Sequence, residues 1–154
     1  MIRILTVAAV AATLAACGTT PPAAPMKSVA RDAEEVTRLL PAIPLKLERC
    51  AYADFENDAA YRKERQRYLQ EHRRLEEVAH RVAARTTGQS LADLRATAQA
   101  IAIARAEREF GGTTPPVPMC RTLLDGCQGR DVKRCPPVNV MAPDAVRAVL
   151  AAES

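Results

Sequence analysis

The chain has 154 residues, 22 Lys and Arg against 18 Asp and Glu, and a net charge of +4, a balance that by itself selects no class of partner. It has no Trp, and four of its five Tyr and Phe residues fall between Tyr52 and Tyr68. Sugar-binding and single-strand-binding surfaces both rely on dispersed aromatic faces, so neither is expected and no nucleic-acid partner is predicted.

At the N-terminus, Arg3 precedes an apolar run, Ile4 to Leu14, which closes on Ala15, Ala16 and Cys17. The run has the length of a secretory h-region and falls short of the roughly 20 residues a membrane-spanning helix requires. A core helix is also disfavoured, because Gly18, Pro21, Pro22 and Pro25 follow at once. The sequence Leu14-Ala15-Ala16-Cys17 resembles the lipobox of bacterial lipoproteins. The resemblance covers residues 1–18 and implies cleavage before Cys17, a diacylglyceryl group on its sulfur and an acylated new amine. Two or more acyl chains give stable anchoring. Gly18 in place of an inner-membrane-retaining Asp favours the periplasmic face of the outer membrane. The domain plan is then a signal peptide 1–16, a lipid-anchored tether 17–27 rich in Pro, Thr and Ala, and one helical domain 28–154.

The fold class expected for that domain is mainly α: an antiparallel helical hairpin with additional short helices and a disulfide-linked C-terminal loop. Ser28 is a candidate N-cap for a first helix, with Val29, Ala33, Val36 and Leu40 on one face. Pro41 ends it, and PAIPLKL reads as an extended or kinked connector. Pro44 suits the first turn of a second helical region reaching Arg85, with a break near Glu56-Asn57-Asp58 and Asp58 as a candidate N-cap. Tyr61, Tyr68, Leu75 and Val82 repeat every seventh residue there, but Glu64 and Glu71 occupy the second column a zipper would need. Gly88 stops this helix, and Ser90-x-x-Asp93 forms a capping box into a third whose face is Leu91, Leu94, Ala98, Ile101 and Ala102. The short link makes the two antiparallel. Residues 113–118 read as polyproline, residues 120–139 as an irregular loop, and Pro143 opens a final short helix.

Once Cys17 is assigned to lipid, Cys50, Cys120, Cys127 and Cys135 remain, an even set suited to two bridges in an oxidising compartment. Spans favour Cys50–Cys120 with Cys127–Cys135. A third helix returning about 31 Å and an extended link of about 22 Å match the roughly 53 Å of an unbroken helix from Arg85 back to Cys50. The competing chemistry is metal or thiol handling by Cys120, Cys127 and Cys135. Their C-x6-C-x7-C spacing lacks the close ligand pairs of structural zinc sites, and no metal or other cofactor is predicted. His72 and His80 lie about 80° apart around a helix and read as boundary residues. Arg67, Arg74 and Arg81 form a heptad column, the candidate interaction surface, although nearby Glu71 and Glu77 make self-pairing a competing reading. No catalytic motif is present, so a small envelope hydrolase or hydrolase inhibitor ranks third. The leading expectation is a periplasmic lipoprotein that acts through protein contacts as an accessory or assembly factor of the envelope.

Overall fold

A computed structural model describes residues 26–153 with the exception of Thr113. The signal peptide, Cys17 and most of the tether lie outside the described residues. Seven helices follow in order: α1 (Met26–Leu39), α2 (Ala42–Ala53), α3 (Asp58–Thr87), α4 (Leu91–Phe110), α5 (Val117–Gln128), α6 (Val138–Met141) and α7 (Pro143–Ala151). A 3₁₀ turn, Phe55–Asn57, separates α2 from α3. No strand occurs among the described residues.

Met26 and Lys27 are already helical, which places Ser28 within α1 and not at its cap. Its predicted face is buried, with Ala33 and Val36 fully inaccessible and Leu40 nearly so. PAIPLKL is largely helix. The chain bends at Pro41, and Pro44 falls in the first turn of α2, where a missing N–H leaves no hydrogen bond unmade. α1 and α2 thus form a bent arm. The break before α3 lies where the sequence places it, although Asn57 is the cap position and Asp58 the first helical residue.

The thirty-residue α3 runs back along the whole arm, packing on α2 with its first half and on α1 with its second. Gly88, at φ 72°, ends it in the left-handed conformation a side chain disfavours. Ser90 Oγ then accepts the Asp93 N–H at 3.1 Å, so the predicted cap opens α4. α4 returns antiparallel to α3 but leans chiefly on α1 and α2. Ala98, Ala102 and Ala106 are buried at four-residue intervals and permit this close approach, whereas Leu91 and Ile101 of the expected face remain about two-fifths exposed.

Two apolar clusters result. One joins α1, the second half of α3, the start of α4 and α6–α7 through Val36, Val78, Val82, Leu94, Val138 and Val149. The other joins α2, the first half of α3, the end of α4 and α5 through Leu47, Tyr61, Tyr68, Phe110 and Leu124. Bridges Cys50–Cys120 and Cys127–Cys135 lie in the second cluster. The first forms despite the helix break, which the span comparison assumed absent.

Residues 120–139 are not one irregular loop. α5 takes up their first part because Pro118 sits in its first turn, where proline is tolerated. Beyond α5 the chain folds back tightly on the helix. A Cβ on Gly126 would lie 2.4 Å from Arg134 Cβ, so only glycine admits that return.

Candidate functional site

The arginine column does not act as one surface. Arg67 turns inward: Nη2 donates to Cys127 O at 2.6 Å and pairs with the buried Glu64 carboxylate at 2.7 Å. It clamps α3 to a carbonyl of the last turn of α5, where a cation is favoured by the helix dipole. Arg81 pairs with Glu153 beyond α7. Arg74 is exposed, with no hydrogen bond or ion pair to another described residue. A straight helix drifts about 20° per heptad, and the three residues meet different neighbours: α5, solvent and the C-terminal segment.

A face of mixed charge nevertheless exists. A shallow groove between α3 and α7 is lined by Arg73, Arg74 and Arg81, by the carboxylates of Glu71, Glu77 and Glu153, and by Leu75, Val78 and Leu150. Arg73, like Arg74, is exposed with no hydrogen bond or ion pair to a described residue, and Leu150 is 42% exposed. The short-bridge loop adjoins this face, because Arg130 reaches Glu71 at 3.5 Å. Three cations of that loop, Arg130, Lys133 and Arg134, are exposed around a half-exposed Val132. Of the i,i+4 pairs that self-pairing of this face implies, Arg67–Glu71 approaches to 4.0 Å, whereas neither Arg73–Glu77 nor Glu77–Arg81 forms among the described residues, and Arg81 pairs with Glu153 instead.

A second concavity lies where α4 leans away from α3. This groove of about 250 Å³ is floored by the α1–α2 bend, with Leu40, Pro41, Pro44 and Leu45 on one side. α3 contributes Arg65, Tyr68, Leu69, His72, Glu76 and His80, and α4 contributes Arg95, Ala98 and Gln99. His72 and His80 therefore line one groove despite their angular separation. His72 is engaged on both ring nitrogens: Nδ1 donates to Tyr68 O at 2.9 Å, and Nε2 accepts the Val138 N–H at 3.3 Å. Its ring stacks on Tyr68 at 4.1 Å between centroids, and the Tyr68 hydroxyl donates to Pro136 O. His80 is 5% exposed, and Nδ1 is bonded to Glu76 O at 2.9 Å. Burial pushes its pKa below the ordinary histidine value. Periodicity alone could not reveal this groove, because it arises from the lean of α4.

The stapled end carries a buried polar network. Asp54, 3% exposed, accepts hydrogen bonds from Arg121, Asn57 and Tyr61. The Arg121 bond, helped by those from Asn57 and Tyr61 against the cost of burial, holds its carboxyl at about 2. Burial and the Asp54 carboxylate push the Tyr61 hydroxyl well up. This network fixes a corner on which Tyr52 and Phe55 are exposed, Phe55 to 85%. The aromatic cluster read from the sequence is thus divided: Tyr61 and Tyr68 belong to the core, Tyr52 and Phe55 to the surface.

With both bridges formed, Cys120, Cys127 and Cys135 have no thiolate to offer a metal or a redox partner. Among the described residues no group of three or more His, Cys, Asp or Glu side chains is arranged to hold a metal ion. No helix among them is long and apolar enough to cross a membrane. No family model, curated protein or solved structure matches the chain.

Proposed function

We propose that this protein is a lipid-anchored periplasmic lipoprotein of the cell envelope, held in the outer membrane through Cys17. Its helical domain acts without catalysis, as an accessory or assembly factor that contacts an acidic segment of another protein. The anchor rests on Leu14-Ala15-Ala16-Cys17 and the proline-rich stretch after it. The contact rests on one observation: Arg73 and Arg74 are exposed cations with no hydrogen bond or ion pair to a described residue, beside Leu150 in the α3–α7 groove. Exposed surface cations are inexpensive to keep in water, and an acidic partner would draw on them for steering and register.

The test places a photo-crosslinker at position 150, in the same groove, in intact cells, both in the otherwise unaltered chain and in one carrying Arg73→Glu with Arg74→Glu. The expected crosslinked peptide is rich in Asp and Glu. Charge reversal should abolish the crosslink while helicity and membrane attachment persist. A crosslink that survives charge reversal, or one to a peptide without acidic residues, removes this face from the proposal. Arg67 is left intact because it holds α5.

A further inference from the structure

The α3–α4 groove has an apolar body between two polar ends. Leu40, Pro41, Pro44, Leu45 and Leu69 supply the body. At one end Glu48 and Arg65 pair with each other at 3.4 Å. The other end, around His80, gathers Glu76, Arg95 and Gln99. Here the charges are not spent on each other: Arg95 and Gln99 have no hydrogen bond or ion pair to a described residue. The Glu76 carboxylate approaches only His80, at 4.0 Å, whose Nδ1 is already bonded to Glu76 O. An unspent cation and an unspent anion at the head of an apolar slot select a ligand with both charges on one small head and an apolar remainder.

We propose that this groove binds an apolar α-amino acid, its carboxylate on Arg95 and Gln99, its ammonium on Glu76, and its side chain along Leu69 and the α1–α2 bend. The volume suits such a ligand. At about 30 Å³ per water the groove holds the equivalent of about eight waters, small for a cofactor site but sufficient for leucine or phenylalanine. This site is separate from the α3–α7 face and independent of the role proposed for it.

Isothermal titration of the purified protein with leucine provides the test, with N-acetyl-leucine, leucinamide and glycine as comparators. Leucine should bind at one site. N-acetyl-leucine, lacking the ammonium, and leucinamide, lacking the carboxylate, should each bind at least about tenfold more weakly, as should glycine, which lacks the body. Arg95→Ala and Glu76→Gln alter side chains at the mouth and should each weaken leucine about tenfold with an unchanged circular dichroism spectrum. Equal binding of the blocked and free ligands overturns the zwitterion assignment. Unchanged affinity in both variants overturns the placement. Absence of heat and of any thermal shift with both leucine and phenylalanine overturns the site.

Discussion

The two ends of the bundle are held by different means. At the end built from α1, α6, α7 and the close of α3, aliphatic ridges do the work: Val36, Val78, Val82, Val138 and Val149 are essentially inaccessible and no bridge is present. At the end built from α2, α5 and the start of α3, two bridges, a buried Asp54 network and the Arg67 clamp supplement Leu47 and Tyr61. α5 is twelve residues long, opens on prolines and contains Gly126, so it has little helix propensity of its own. Covalent and charged contacts hold what packing alone would hold weakly. Such an end is secure only where thiols are oxidised.

Cutting the long staple should have the largest effect. Replacing Cys50 and Cys120 together by Ser removes a cross-link between residues 70 apart and should cost about 4 kcal/mol in urea unfolding. A loss below about 1 kcal/mol would mean that packing alone secures this end. Leu94→Ala probes the aliphatic end, where Leu94 ties α4 to α1, and should cost about 3 kcal/mol whether or not reductant is present. Removing Cys127 and Cys135, only 8 apart, should cost about 2.5 kcal/mol and release the basic loop without melting α1 or α7, which hydrogen exchange would report. Ser90→Ala, which deletes a cap on neither core, should cost about 1 kcal/mol.

Acid separates the ends by pH. The lowered folded pKa of His80 means that the unfolded chain takes up its proton first. Stability should therefore fall as pH drops through the ordinary value of 6.5 toward the lower folded one. Asp54 acts later: its contribution is complete above the ordinary 3.8 and is lost as pH falls toward about 2. Urea midpoints across that range should drop in two stages, the first missing in His80→Gln and the second reduced in Asp54→Asn.

Much of the scaffold is written locally. The Val29-to-Leu40 face, the break before Asp58, the Gly88 stop and the Ser90 cap each follow from a few neighbouring residues, and each is present. What escaped a local reading depends on distant contacts. α5 hides because Pro116, Pro118 and Gly126 look like loop, yet proline in a first turn costs nothing and Gly126 is required by Arg134. Arg67 resembles Arg74 in sequence, and only the arrival of Cys127 O separates clamp from free cation. The α3–α4 groove depends on which partner α4 prefers, which heptads do not encode.

Intact mass spectrometry of the protein extracted from membranes, alkylated with and without prior reduction, reads the anchor and both bridges in one experiment. A lipid-anchored, doubly bridged chain should show an N-terminus at Cys17 carrying acyl chains, no alkylation before reduction, and alkylation of Cys50, Cys120, Cys127 and Cys135 after it. A chain that retains Met1, or one alkylated at those cysteines without reduction, would contradict that reading.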